Sequence, residues 1–175
     1  FIGEELFSKN SNIVKAYNDN IFCWTVDPID GTNNYIKGNN KFCVMISFSF
    51  HNKILQSWIY NPITEDFCYA INSEGSYLNS KKLKTSNKNV LNESNGSIST
   101  KYWNDDNFYK IKKIFPKFNQ VSSYGSIGME YIDIAKGLRD FAILSKLSPW
   151  DHLPGILIVR EAGGVDEYFD GGSFN

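Results

Sequence analysis

The chain has 175 residues, 42% of them hydrophobic, and a formal net charge of −1, which sets the scale of one globular domain or of two small halves sharing a core. A near-neutral balance gives no global field for holding nucleic acid or an anionic membrane. No apolar run approaches the roughly 20 residues needed to cross a bilayer, and no secretory signal is visible.

Gly3-Glu4-Glu5 follows an apolar pair and, taken alone, shows only two exposed acids. Ile21–Val26 (IFCWTV) is a continuous apolar run ending at Asp27-Pro28, which suits a buried strand. Lys41–Phe50 and Ile54–Tyr60 are β-rich and flank His51-Asn52-Lys53, a hairpin signal. Asn61-Pro62 ends the second run, Asp66–Ala70 suits a third antiparallel strand, and Gly75–Asn79 a turn with a short strand. The polar stretch Thr85–Gly96 divides the chain into an expected first half, 1–88, and second half, 89–175. Ile98–Thr100 restarts a strand, and Asp105–Phe115 places Phe108, Ile111 and Phe115 on one helical face. Gly128–Lys136 is a second helix closed by Gly137, Phe141–Leu144 a short strand, and Pro154–Ala162 an apolar helix closed by Gly163-Gly164. Hairpins first and alternating strands and helices later give a mixed α/β layered sandwich.

Three cysteines, Cys23, Cys43 and Cys68, sit in apolar or aromatic runs with no C-x-x-C spacing. They read as buried free thiols and favour a reducing, cytoplasmic compartment. Lys81, Lys82, Lys84 and Lys88 read as a solvated loop. Tyr102 and Trp103 in one loop are too little for a base-stacking surface, so no nucleic-acid partner is expected, and no membrane partner either.

The chemistry concentrates in Asp27-Pro28-Ile29-Asp30-Gly31-Thr32. A strand end is a rigid place from which to aim carboxylates, Pro28 fixes φ, and Gly31 permits a backbone path closed to other residues. If a helical turn starts there, the amides of Gly31, Thr32 and Asn33 can face one phosphate. Hard oxygen ligands beside such a cradle suit Mg²⁺ and phosphoryl transfer. An isolated D-x-x-D-G also fits a plain Asx-type turn. Asp151, ahead of Pro154, equally fits a helix N-cap.

Taken together, FIGEE (Phe1–Glu5), DPIDGT (Asp27–Thr32) and WD…EAGG (Trp150–Gly164) resemble the inositol monophosphatase family, in the family's order and over essentially the whole chain. The resemblance implies the layered α-β-α-β-α sandwich of the inositol monophosphatase and fructose-1,6-bisphosphatase type, here truncated at both ends. It implies two or three Mg²⁺ ions held by Glu4, Asp27, Asp30, Asp151 and the carbonyl of Ile29, with Asp27 bridging two of them. Glu4 and Thr32 would align the attacking water. Gly31 and Thr32 amides would hold phosphate oxygens, while Asp30 and Asp151 also border the substrate. The implied reaction is hydrolysis of a small phosphorylated metabolite, by a cytoplasmic homodimer, without a covalent intermediate. Neither histidine is then required: His51 is a solvated turn residue, and His152 either supports a ligand or simply starts a helix.

Two departures bear on substrate. Leu144 stands seven residues before Asp151, where myo-inositol-specific members carry a glutamate that reads a hydroxyl. The segment Gly125–Glu130 (GSIGME) departs from the small-residue pattern of the inositol pocket. Glu130 either takes over hydroxyl recognition or is a solvated helix residue, and Met129 either walls the pocket or joins the core. A generic polyol phosphate is the first expectation, with histidinol phosphate, phosphonucleotides, or a binding protein without turnover as alternatives. Family members begin before Glu4 with helices and a mobile loop, and continue past a motif like Gly171–Asn175, so the chain is read as part of a longer enzyme.

Overall fold

The computed structural model describes residues 1–9, 21–51, 53–169 and 171–172. Asn52 in the expected hairpin turn and residues 173–175 of the last motif lie outside the described residues. The large sheet runs β1 (Ile2–Gly3), β2 (Phe22–Asp30), β3 (Cys43–Phe50), β4 (Lys53–Asn61), β5 (Asp66–Ile71), β6 (Gly75–Leu78) and β7 (Lys81–Lys82), in chain order. All its pairings are antiparallel except β1 with β2, which are parallel. Helix α1 (Glu4–Lys9) leaves β1, and α2 (Thr32–Ile36) lies between β2 and β3. The rest of the chain supplies β8 (Asn95–Ile98), α3 (Asp105–Lys112), β9 (Gln120–Val121), α4 (Ile127–Ala135), β10 (Phe141–Ile143) and α5 (Pro149–Glu161). Its three strands form a parallel sheet in the order β10-β8-β9.

The side-chain period of two separates the faces of the large sheet. Along β3, Cys43, Met45, Ser47 and Ser49 are buried while the residues between them are half-exposed. The inward face packs on α4 and α5 through Met45, Ile59, Cys68 and Ala70 against Ile132, Leu153, Leu157 and Ile158. On its other side this helical layer meets the small sheet, with Ala142 and Leu144 packed on the same core and Glu130 bonded to Ser97 of β8. A helix between two sheets must be apolar all round, and α5 buries every residue from His152 to Val159. The result is a layered α/β sandwich with the core in its central helical layer.

Several boundaries move. The strand expected to stop at Val26 continues to Asp30, and it alternates: Cys23 and Thr25 are buried, while Phe22 and Trp24 face outward. The strand expected from Ile98 begins at Asn95. Helix α5 starts at Pro149, with Ser148 as its N-cap, because a proline at the first helical position loses no hydrogen bond. Pro154 is therefore inside the helix, and Asp151 lies in the first turn, not at the cap. Lys88, expected to be merely solvated, pairs with Asp140 at 3.3 Å.

Candidate active site

Residues i and i+3 of a regular strand point to opposite faces. Asp27 and Asp30 nonetheless share the buried face, at 3% and 9% exposure. Asp27 pairs with Met45 and Asp30 with Cys43, so three steps along β2 match two along β3. That β-bulge turns the second carboxylate to the side of the first, and Pro28 is tolerated there because it has no N–H to give the ladder. Glu4 arrives by pairing: Gly3 lies opposite Val26 in the parallel β1–β2 ladder, so the next residue falls beside Asp27. Asp151 comes from the first turn of α5. The four acids, with Ile29, Gly31 and Thr32, line one cavity of about 530 Å³.

The carboxylates are held by named donors. Asp27 Oδ1 accepts the Ile29 N–H at 2.9 Å, so the Asx-type turn considered from sequence is present within the same constellation. Asp30 Oδ2 accepts the Ser126 hydroxyl at 2.6 Å, the Gly128 N–H at 2.8 Å and the Cys43 thiol at 3.5 Å. Gly128 is required by this close approach, since a Cβ there would overlap Cys43 Sγ and lie 3.2 Å from Asp30 Oδ2. Gly31 adopts φ +85° at the N-cap of α2, and its carbonyl accepts the amides of Asn34 and Tyr35. The Thr32 hydroxyl donates to Ile29 O at 3.0 Å, which leaves its own lone pairs to accept.

Crowding of acids sets the electrostatics. Burial first, then the Asp30 charge, push the Asp27 carboxyl up to about 8, with smaller contributions from Asp151 and Glu4. Burial and then Asp30 also raise Asp151 to about 6, against the nearby Lys146 ammonium. Asp30 is raised by burial, opposed by its bonds to Ser126 and the Gly128 and Ile127 amides. Among the described residues, no three acidic, histidine or cysteine side chains are gathered tightly enough to enclose an ion as they stand. Their chemistry still suits one: the donors are hard oxygens, and a divalent cation would relieve the repulsion that raises Asp27.

Glu130 is not a solvated helix residue. It is 3% exposed, and it accepts from Ser97 Oγ at 2.5 Å, Ser123 Oγ at 2.8 Å and Tyr124 N at 2.7 Å. It borders the cavity and fixes the wall that carries Ser126. Met129 is buried in the core and accepts the Asn61 amide at 3.4 Å. His152 is buried, with Nδ1 at 2.9 Å from the Tyr131 hydroxyl and Nε2 at 2.6 Å from Lys146 O. Burial lowers its pKa to about 4, so the ring is neutral. His51 is an exposed turn residue at φ 50°, and the three cysteines are free and buried. Leu144 borders the cavity as an apolar wall.

A profile of the inositol monophosphatase family matches residues 1–175. The chain belongs to the inositol monophosphatase family. Inositol-1-monophosphatase of Synechocystis is 31% identical over 159 residues, 87% of this chain and 54% of that protein. Inositol monophosphatase 3 of Solanum lycopersicum is 32% identical over 170 residues, 94% of this chain and 62% of that one. The chain thus spans between about half and two thirds of these inositol monophosphatases. Among solved structures, the 2'AMP-bound SaIMPase-II superposes with a TM-score of 0.80 at 26% identity, covering 92% of this chain and 61% of that one. The layered α/β fold is therefore that of inositol monophosphatases, a family of phosphoric monoester hydrolases.

Sequence reasoning missed the parts of the site that touch the acids from behind. Ser126 and Gly128, within the unusual Gly125–Glu130 segment, and Cys43 converge on Asp30 from two other elements, and no local pattern points them at that carboxylate. The Glu161 of the EAGG motif is a latch: its carboxylate accepts Ser73 N at 2.7 Å and Gly75 N at 2.8 Å, holding the β5–β6 turn against the end of α5.

Proposed function

We propose that the protein is a Mg²⁺-dependent phosphomonoesterase acting on a small polyol or sugar phosphate. The observation that carries this reading is the convergence of Glu4, Asp27, Asp30 and Asp151, from three separate elements, on one cavity beside the turn at Gly31. Two or three Mg²⁺ ions would be held by those carboxylates and the Ile29 carbonyl. When bound, Mg²⁺ supplies charge that acidifies a water and offsets negative charge on the phosphate oxygens. Thr32, donating to Ile29 O, keeps its lone pairs free to accept a proton of the attacking water, and Glu4 orients the same water. The amides of Gly31 and Thr32 would hold phosphate oxygens, and that of Thr32, in the first turn of α2, lacks an acceptor within the helix. Asp30, held by Ser126 and Gly128, keeps its other oxygen for a cation. The neutral His152 is occupied by Tyr131 and Lys146 and supports α5, so Asp151 alone of that pair faces the reaction. Three free buried thiols support a cytoplasmic location, and the family resemblance supports a homodimer.

The test is phosphate release by the full-length protein over inositol 1-phosphate, glycerol 2-phosphate, histidinol phosphate and 2'-AMP. Turnover should need Mg²⁺ or Mn²⁺, vanish in excess EDTA, and fall with added Ca²⁺, whose larger radius suits the compact octahedral geometry poorly. Li⁺ should inhibit as well. Full activity in EDTA would refute the metal assignment. Leu144 offers no charge-assisted bond to a ring hydroxyl, a loss of about 1.5–3 kcal/mol. Leu144→Glu should therefore raise kcat/KM for inositol 1-phosphate over glycerol 2-phosphate by roughly ten- to a hundredfold. An unchanged ratio would assign hydroxyl reading to another residue.

A further inference from the structure

Helix α2 begins at Thr32, directly after Gly31, yet it spans five residues and buries none of them. A helix that short has no stability of its own, and burial contributes little to its orientation. What holds it is Asn34, whose side chain does not line the cavity. Asn34 Nδ2 donates to Lys41 O at 2.7 Å and to Tyr124 O at 2.8 Å. Both acceptors are carbonyls, so each takes one of the two hydrogens of the amide. One acceptor lies between α2 and β3, the other on the wall segment ahead of α4, 90 residues from Asn34 in sequence. The Asn34 N–H donates to Gly31 O at 2.8 Å, which ties the same residue to the turn.

Gly31 sits between the two segments that Asn34 draws together: a Cβ there would lie 2.9 Å from Lys41 O and 2.8 Å from Ser126 Cβ. The wall end of the clasp is itself fixed. Tyr124 N–H donates to Glu130 Oε1 and its hydroxyl to Asp133 Oδ2, each at 2.7 Å. Its ring centroid lies 4.0 Å from the Arg139 guanidinium and 4.2 Å from the Lys41 ammonium, both within cation–π reach. Two residues further on, Ser126 donates to Asp30. Resting on the phosphomonoesterase reading, we propose that Asn34 is a positioning residue, clamping the Gly31–Thr32 turn to the wall that orients Asp30. It thereby sets the phosphate-holding amides and the Thr32 hydroxyl at one separation from the carboxylates, where a misplacement of about 1 Å costs on the order of a hundredfold in rate.

The experiment follows kcat, KM and inhibition by inorganic phosphate for the full-length protein on inositol 1-phosphate in Mg²⁺, with thermal unfolding alongside. Asn34→Asp keeps the shape but turns acceptors toward both carbonyls, and Asn34→Ala removes the amide. Each should lower kcat/KM by roughly ten- to a hundredfold and weaken phosphate inhibition by about tenfold. Half-saturation by Mg²⁺ should stay near wild type, because Asp30 keeps its bonds to Ser126 and Gly128. Asn34→Gln retains both donors and should recover part of the loss. Asn72→Ala is the matched control: its amide donates to Ile54 O at 3.3 Å, away from the cavity, and its loss should touch stability alone. Asn34 variants that melt earlier but keep kcat, KM and phosphate inhibition per folded molecule overturn the proposal. A loss that appears only as weaker Mg²⁺ half-saturation also overturns it. Calorimetric binding of inorganic phosphate in Mg²⁺, without substrate, separates the two readings. Binding weakened by both substitutions, in a protein whose wild type releases no phosphate, keeps the clasp and sinks the phosphatase. Wild-type turnover with phosphate binding unchanged in the variants sinks the clasp alone, and a wild type that neither turns over nor binds phosphate sinks both.

Discussion

Asp27 and Asp151 are the residues whose environment most exceeds what a fold needs. Without a cation, the folded Asp27 carboxyl is raised to about 8 by burial and by Asp30, and Asp151 to about 6 by burial and by Asp30. A carboxyl raised on folding binds its proton more tightly in the native state. The stability it contributes is full below the unfolded value of 3.8 and is lost as pH rises through the folded value. The metal-free protein should therefore weaken between about pH 4 and pH 8, and Mg²⁺, which displaces those protons, should restore more at pH 8 than at pH 5. Thermal unfolding with and without Mg²⁺ across that range measures it. Asp27→Asn should raise the metal-free melting temperature at pH 8, by about 2–4 °C for each kcal/mol relieved, and abolish most of the Mg²⁺ gain. A metal effect independent of pH would mean these acids are not the ligands.

At the scale of elements, the site is made where β2, β3 and α4 touch. Gly128 lets α4 lie against Cys43 and Met45 while its own amide reaches Asp30. Gly128→Ala would drive a Cβ to 2.8 Å from Met45 Sδ and closer still to Cys43, so α4 must back away. The expected cost is about 1–3 kcal/mol of stability, with weakened Mg²⁺ binding because Asp30 loses donors that orient it. Urea unfolding and metal titration together check this; a loss of stability with metal affinity intact would separate packing from ligand placement. These elements also show what sequence could and could not reveal. The DPIDGT turn and the WD–EAGG helix were legible because each packs its chemistry into a few adjacent residues. The hairpins over Lys41–Phe50 and Ile54–Tyr60 were legible from β-rich runs around a turn. The bulge that brings Asp27 and Asp30 to one face was not, since it exists only in the register against β3. Nor was the start of α5: a run beginning at Pro154 hid the Ser148-Pro149 cap. Ser126 and Glu130 were half legible, flagged as an unusual segment, but their partners on β2 and β8 are set by packing alone.

In the molecule as a whole, the cavity takes Asp27 and Asp30 from the large sheet, Asp151 from the central helical layer, and its remaining wall from the small sheet's connections. Whatever holds these layers in place therefore also holds the site. Asp140 is the clearest such tie. It sits just before β10 and accepts Asn95 N at 2.7 Å from β8, the Ser86 hydroxyl from the polar connection, and Lys88 Nζ at 3.3 Å. Its side chain is 6% exposed, whereas Lys88 is 42% exposed, so the ion pair adds little and the two neutral donors carry the bond energy. Burial raises the Asp140 carboxyl, but the bonds from Ser86, Asn95 and Lys88 outweigh it and leave the group below its usual value. A carboxyl depressed on folding contributes stability above the unfolded value of 3.8 and loses it as pH falls through the folded one. Asp140→Asn keeps the shape but replaces one accepting oxygen by a donor facing other donors. It should cost about 1.5–3 kcal/mol at pH 7, read as a lower urea midpoint with an unchanged slope. The difference from wild type should shrink as pH drops below the unfolded value of 3.8, where the unfolded chain takes up the proton first, and disappear once pH has passed the lowered folded value. Because the tie joins the polar connection to the small sheet and takes no part in lining the carboxylate cavity, turnover per folded molecule should fall much less than stability. Equal losses in both would mean that the connection over Thr85–Gly96 also shapes the cavity.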